Sequence, residues 1–285
     1  MNRSILVGLG GMGTEGACYT EAATQTAIEL ARRNEALLTG VTIVNTAQLG
    51  SLGPAPIGAG AMAAEMREHR FAETRDRVAA AVVAFENACT AAGLRYKVLR
   101  EERSEPFDYL ISQARYHDLT LIGLRGLFEY GVAGEAHYNA ADTMVKLIAG
   151  GVRPLIATGP KYRPINRVMI AYSGSPQSAK TMRRFVQMRL WPDATVRVVA
   201  FGDDYERRQR HLSHAAGYFE AHDIDVELDY QPGDARKGLL EAAHEWNADL
   251  IVMGNSHRTL ISRKVLGDTV LETIHHSDLP LFLSQ

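Results

Sequence analysis

The sequence predicts an α/β protein made of two tandem copies of one domain, each a parallel sheet with helices on both sides. Three observations carry this. Short apolar runs alternate with longer stretches of helical spacing along all 285 residues. Runs such as Leu250-Ile251-Val252-Met253 are apolar without a break, as strands covered on both faces must be. The pattern also repeats. Asp118-Leu119-Thr120-Leu121-Ile122-Gly123 answers Asp249-Leu250-Ile251-Val252-Met253-Gly254 at a distance of 131 positions. Asp142-Thr143 answers Asp268-Thr269, and Pro154-Leu155 answers Pro280-Leu281, both at 126. Ile5-Leu6-Val7-Gly8 answers Val168-Met169-Ile170-Ala171 at 163. Matches kept in the same order mark a duplication. The polar, proline-containing stretch 159–164 reads as the linker, giving a first domain at 1–160 and a second at 161–285.

In order along the chain, 5–9 is an apolar strand ending in glycines. Residues 20–34 place Ala23, Ala27, Ile28, Leu30 and Ala31 at helical spacing, and 38–44 is a strand. Residues 47–64 are rich in Gly, Pro and Ala with no useful period and read as a loop or flap. Residues 67–92 form a long helix with Val78, Val82, Val83 and Phe85 on its apolar side. A short strand at 96–99, a helix at 109–116, a buried strand at 119–122, a helix at 143–149 and a last strand at 155–157 complete the first half. The second half repeats this at 168–171, 178–188, 195–201, 204–221, 226–230, 237–244, 250–253, 269–275 and 281–283. The shrinking offset gives the first half 32 and then five extra residues, which places insertions near 47–64 and 127–140.

Composition excludes several classes. Hydrophobic residues are 46% and charged residues 22%, a globular balance rather than that of a disordered or collagen-like chain. A net charge of -2 supplies no positive field for nucleic acid or anionic lipid. Cys18 and Cys89 stand far apart with no CxxC pair, which argues against a disulfide scaffold or zinc ribbon and fits a reducing cytosol. The apolar run after Arg3 is too short for a membrane span or a signal-peptide core, so a cytoplasmic protein is expected.

In parallel sheets of this kind, ligands bind beyond the carboxyl ends of the strands. Small residues there let backbone N–H groups approach phosphate, helped by a helix N-terminus. The first half offers Gly8, Gly10, Gly11 and Gly13; the second offers Ser173-Gly174-Ser175, Gly254-Asn255-Ser256-His257 and Gly267-Asp268-Thr269. Gly8 to Gly13 also fits GxGxxG, but the next strand ends Ile43-Val44-Asn45-Thr46, without the carboxylate that a dinucleotide ribose requires.

These residues resemble the universal stress protein family: the end of the first strand, Gly233-Asp234-Ala235, the Asp-Leu-Ile-Val-Met-Gly strand, and the glycine spacing after it. The similarity runs over nearly the whole chain as two copies and is clearer in the second. It implies Rossmann-like or flavodoxin-like domains, each a five-stranded parallel sheet, packed as a pseudo-dimer through last strands at 154–157 and 280–283. It also implies a nucleotide held by an Asp at the end of the first strand and a Gly-x2-Gly-x9-Gly-Ser/Thr motif. In this chain the Asp position is Ser173 in the second half and Gly10 in the first. The motif keeps Gly254, puts His257 at its second glycine, keeps the nine-residue spacer to Gly267, then has Asp268 with Thr269 behind it. The first half keeps Gly123 and Gly126, but fourteen residues separate Gly126 from Ala141, and Asp142 follows.

A carboxylate about 4 Å from a phosphate oxygen costs roughly 1–4 kcal/mol between water and an effective dielectric of 20. Asp268 and Asp142 therefore read either as helix caps or as ligand contacts that weaken triphosphate binding, more so in the first half. The expected ligand, ATP, ADP or AMP, sits in the second half. Ala171, Tyr172, Ser173 and Gly174 lie near the base and Phe201 forms an apolar wall. Met253, Gly254, His257, Arg258, Gly267, Asp268 and Thr269 lie toward ribose and phosphate.

Other residues carry readings of their own. His211 and His214 are a metal pair without a third ligand, or exposed helix histidines. His275 and His276 suit a helix C-terminus. Glu101, Glu102 and Glu105 are a solvated loop or paired carboxylates. Ser173-Gly174-Ser175 lacks the Gly-x-Ser-x-Gly elbow of a hydrolase. Cys18 is a packing residue or a thiol near a helix start. Phe128, Tyr130 and Tyr138 cover the cleft, meet a partner, or merely pack their loop. The expectation is a regulatory protein that senses a ligand and contacts a protein partner, with further homodimerisation left open. The alternatives are a scaffold without nucleotide, or a slow nucleotide hydrolase or NAD-binding protein. No general base is placed, so no catalytic residue and no metal ligand is assigned, and turnover above roughly 1 per second is not expected.

Overall fold

A computed structural model describes residues 3–10, 16–50, 60–128, 130, 140–152, 154–254 and 267–284. The chain divides into two compact units, one of Asn2–Val152 with Pro160–Tyr162, the other of Arg153–Gly159 with Arg163–Gln285. The N-terminal unit contains β1 (Ser4–Gly8), α1 (Ala17–Asn34), β2 (Leu37–Asn45), α2 (Thr46–Gly50), α3 (Gly60–Ala91), β3 (Tyr96–Arg103), α4 (Pro106–Ala114), β4 (Leu119–Gly123) and α5 (Ala140–Ala149). Its strands run parallel in the order β3-β2-β1-β4.

The C-terminal unit contains β5 (Leu155–Thr158), β6 (Arg167–Ala171), α6 (Pro176–Met188), β7 (Thr195–Phe201), α7 (Tyr205–Glu220), β8 (Val226–Gln231), α8 (Ala235–Glu245), β9 (Leu250–Gly254), α9 (Asp268–His276) and β10 (Leu281–Ser284). The order is β5-β10-β9-β6-β7-β8. All neighbours are parallel except β5 and β10, where Leu281, Phe282 and Leu283 face Ala157, Ile156 and Leu155. β5 thus precedes the linker in sequence but belongs to the second unit. It supplies the strand pairing that the resemblance implies for 154–157 and 280–283.

The unbroken apolar runs form the cores: Ile5, Leu6 and Val7 in one unit, and Leu250, Ile251 and Val252 in the other, are fully buried. Helices cover them through small or shaped faces. α1 buries Ala23, Ala27, Leu30 and Ala31, and α6 sets Phe185 edge-on to Phe282 at 5.6 Å. Helix starts are fixed by side chains. Ser175, Asp204 and Asp234 cap α6, α7 and α8 by accepting from the amides of Ser178, Arg207 and Arg236 at 3.2, 3.0 and 2.9 Å.

Two expectations are corrected. The flap at 47–64 is helical at both ends, with α2 at Thr46–Gly50 and α3 starting at Gly60; residues 51–59 lie outside the described ones. Ala, Met, Glu and Arg are strong helix formers. An exposed helix needs no apolar stripe, and Met62 and Met66 are 66% and 49% exposed. Glu101 and Glu102 are not loop residues but lie in β3, an edge strand, and pair with Arg103 and Arg75 at 2.8 Å each. Charges on such an edge discourage pairing with another sheet.

Candidate functional site

In the C-terminal unit β6 has β9 on one side and β7 on the other, so the strand order reverses there and a crevice opens at the carboxyl ends. A cleft of about 110 Å³ occupies it. Of the residues expected from sequence, Ala171, Tyr172, Ser173, Phe201, Met253, Gly254, Gly267 and Thr269 line it. Ser178, Val199, Ala235 and Val270 line it too and were not foreseen. Ser178, Val199 and Val270 lie two positions inside their elements, where packing sets their place, and Ala235 opens α8 at the end of the Gly233-Asp234-Ala235 stretch. His257 and Arg258 lie outside the described residues.

The floor is set by close approach. A Cβ on Gly254 would stand 2.7 Å from both the Cα and the amide nitrogen of Ser178, so only glycine lets β9 end against α6. Gly174, with φ at 75°, is not part of the lining; a Cβ there would collide with the His211 ring. The Ser173 hydroxyl donates to those of Ser175 and Ser178 at 3.0 and 3.3 Å, and the Ser178 hydroxyl donates to the Ser175 carbonyl at 2.9 Å. These hydroxyls engage one another and the start of α6, an arrangement that orders a helix N-terminus and provides no activated nucleophile.

Arg208 and His211 stand beside the lining residues Ser173 and Tyr172. Arg208 Nη1 donates to the Ser173 carbonyl at 2.9 Å, while its buried Nε has no hydrogen-bond partner among the described residues. His211 stands edge-on to Tyr172 at 6.4 Å, and its buried Nδ1 has no hydrogen-bond partner among the described residues. Burial first, then the charges of Arg208, Arg207, His214 and Arg210, holds the His211 pKa below its ordinary 6.5. Burial raises the Tyr172 phenol above its usual value. Among the described residues no group of three or more His, Cys, Asp or Glu is placed to hold a metal ion. Asp268 is exposed, stands in the first turn of α9 behind the N-cap Gly267, and is not part of the lining. A carboxylate there favours the helix dipole. Asp142 is likewise exposed in the first turn of α5.

The corresponding glycines of the N-terminal unit do different work. The Gly10 amide donates to Thr20 Oγ1 at 3.0 Å, and a Cβ on Gly10 would collide with the Gly126 carbonyl. Gly126, with φ at 75°, lies against Gly16, and a Cβ on Gly123 would stand 2.7 Å from that of Tyr19. These residues bring chain segments together. Leu124, Leu127, Phe128 and Tyr130 follow, all buried. Tyr138 lies outside the described residues, and Cys18 is exposed on α1 rather than packed.

A sequence model described as the universal stress protein family matches residues 164–284. No curated protein matches the chain. Among solved structures, a universal stress protein from Archaeoglobus fulgidus DSM 4304 is 16% identical, with 99% of this chain and 96% of that one covered and a TM-score of 0.65. A functionally unknown protein from Pseudomonas aeruginosa PAO1 is 14% identical, with coverage of 99% and 92% and a TM-score of 0.61. At such identities the likeness is one of fold, and it extends over both units. The cleft lies in the part the family model matches, so residues 164–284, which carry it, are similar to the universal stress protein family.

Proposed function

We propose that this protein is a cytoplasmic stress-response protein whose second domain, 161–285, binds an adenine nucleotide-type ligand, ATP, ADP or AMP, and which acts through protein contacts rather than turnover. The observation that carries this is the C-terminal cleft. It lies at the strand-order reversal and combines an apolar wall at Val199, Phe201 and Met253 with small residues at Gly254 and Gly267. Ser178 and Thr269, in the first turns of α6 and α9, also line it, so two helix N-termini face one space, as phosphate binding favours. Asp268 stands between the lining residues Gly267 and Thr269, so its charge opposes a phosphate near the start of α9 and favours a ligand with fewer phosphates.

The test is to denature freshly purified protein and identify released small molecules by mass spectrometry. About one adenine nucleotide per chain is the expected result; a ligand at 100 times its Kd also stabilises the fold by about 2.7 kcal/mol. No released nucleotide, together with no rise in Tm on adding ATP, ADP, AMP or adenosine, overturns the reading. One observation favours a scaffold instead: the cleft holds about 110 Å³, whereas ligand pockets usually span about 300–1,000 Å³. On that reading the Tm is indifferent to nucleotide and capture of a protein partner is the informative experiment.

A further inference from the structure

The two units treat the same place in the fold in opposite ways. Gly8 stands opposite Val41 in the β1–β2 pair as Ala171 stands opposite Val199 in the β6–β7 pair. Leu9 donates its amide to the Val41 carbonyl as Tyr172 does to Val199, both at 2.9 Å. Gly8, Ile43 and Gly123 therefore occupy the positions of Ala171, Phe201 and Gly254. The latter three are partly exposed around the open cleft, whereas Gly8, Ile43 and Gly123 are buried.

Leu127 and Tyr130, which follow β4, cover Gly8 and Ile43, and Tyr19 of α1 lies against Gly123. Leu127 packs against Gly8, leaving no room for a side chain there. Tyr130 is 1% exposed, and its hydroxyl accepts from the Ile43 amide at 3.1 Å and donates to the Leu9 carbonyl at 3.3 Å. Arg77 Nη1 fixes the segment by donating to the Tyr130 carbonyl at 2.7 Å. The partners of that hydroxyl are backbone groups that β1 no longer reaches. In a parallel strand, amides two residues apart point to the same side. Val41 faces β1, so Ile43 does too, past the end of that strand. By the same parity the Phe201 amide faces past the end of β6, since the adjacent Gly202 amide donates to Gln231 on the other side at 3.1 Å.

We propose that Tyr130 is a built-in occupant of the N-terminal unit's ligand site. Its phenol supplies both the acceptor and the donor that a ligand edge would bring to Ile43 and Leu9, so the chain has one open site and one closed by its own side chain. A ligand of the same class, a base with an acceptor beside a donor, fits the N-terminal unit once the phenol is removed. The ligand class rests on the proposed function; the closure itself rests on the N-terminal unit alone.

The test uses the full-length ¹⁵N-labelled chain, adenosine as probe, and the variants Tyr130→Ala and Tyr130→Phe. In the unmodified chain adenosine leaves the Ile43 amide signal unmoved. In Tyr130→Ala it shifts Ile43, and the chain binds one more adenosine than the unmodified protein does. Movement of Ile43 in the unmodified chain overturns the proposal, as does a folded Tyr130→Ala variant with no added stoichiometry. A Phe201 amide that ignores adenosine counts against the C-terminal site and leaves the Ile43 result readable. Should Tyr130→Ala fail to fold, Tyr130→Phe decides: it keeps the ring, loses the hydroxyl, and raises hydrogen exchange at Ile43 by about tenfold. Unchanged exchange at Ile43 overturns the proposal.

Discussion

Asp118 and Asp249 make the same pair of hydrogen bonds in the two units. Asp118 Oδ2 accepts from the amides of Arg3 and Ser4 at 2.8 and 3.0 Å, and Asp249 Oδ2 accepts from those of Asn166 and Arg167 at 2.9 Å each. Each carboxylate stands just ahead of its strand and anchors the start of the neighbouring one. The repeated Asp-Leu motif is thus a strand-registration device. Asp249→Ala is expected to destabilise the C-terminal unit by about 1–3 kcal/mol by leaving two amides without their charged acceptor. Asp249→Asn, which keeps one acceptor, recovers part of that. Both tryptophans, Trp191 and Trp246, lie in the C-terminal unit, so fluorescence during urea unfolding reports on it.

Trp246 is the centre of a second device in that unit. It is 5% exposed, and the guanidinium groups of Arg167 and Arg197 lie over its ring at 4.5 and 4.7 Å from the centroid. Its Nε1 donates to Glu227 at 3.1 Å, and the same carboxylate pairs with Arg197 at 2.6 Å. Trp246→Ala removes the ring and the platform together and should cost about 3–5 kcal/mol. Arg197→Met keeps most of the aliphatic stem and loses one cation–π contact and exposed ion pairs, so about 0.5–2 kcal/mol is expected. Urea midpoints of the two variants check the ranking; equal losses would show that the ring's own burial contributes little.

His117 makes the N-terminal unit sensitive to acid. Its Nδ1 lies 2.7 Å from the Gln113 carbonyl, which only accepts, so that nitrogen carries the proton. Nε2 of the neutral ring then accepts from the Thr39 hydroxyl at 3.1 Å. Burial lowers the pKa below 6.5, with Lys97 acting the same way and the Gln113 carbonyl and Asp118 opposing. A lowered histidine pKa means that the unfolded chain takes up the proton first as pH falls. The stability it contributes is whole above 6.5 and is lost as pH drops through 6.5 toward the folded value. The Tm should fall between about pH 7.5 and 5.5, with a shallower fall in His117→Gln. His211 adds a dependence of the same sign in the other unit. The difference between wild type and variant, followed by far-UV circular dichroism, is therefore the quantity to measure.

The sequence reveals those parts of the fold that periodicity and burial jointly determine. Segments 5–9, 168–171 and 250–253 are legible because a strand covered on both faces must be apolar throughout. The two Pro-Leu segments are legible as last strands from the repeat, and their pairing is legible only through the family resemblance. The start of α3 is not, because a helix exposed at Met62 and Met66 carries no apolar stripe. The end of β3 reads as a loop for the same reason: Glu101 and Glu102 sit on an edge where charge is tolerated. The cleft is legible at strand ends and small residues, less so at Ser178 or Ala235. The role of Tyr130 is not legible, because its hydroxyl meets Ile43 across 87 positions of sequence and Leu9 across 121. Sequence leaves cleft cover, partner surface and loop packing equally open for such a residue.

Ala171 offers the cleanest way to close the C-terminal cleft without unfolding the unit. It ends β6, is partly exposed, and lines the space of about 110 Å³. Leucine there adds three carbons to an open space rather than to a packed core, so the stability change should stay within about 1 kcal/mol. Gly254→Ala is a poorer choice, because its Cβ meets the Ser178 backbone at 2.7 Å and binding would be lost together with the fold. Ala171→Leu is expected to weaken nucleotide binding by about a hundredfold, or roughly 2.8 kcal/mol, and to abolish the ligand-dependent rise in Tm. Isothermal titration with AMP and ATP measures this. A folded Ala171→Leu variant of unchanged affinity would place the ligand outside this cleft and remove the main support for a nucleotide-sensing second domain.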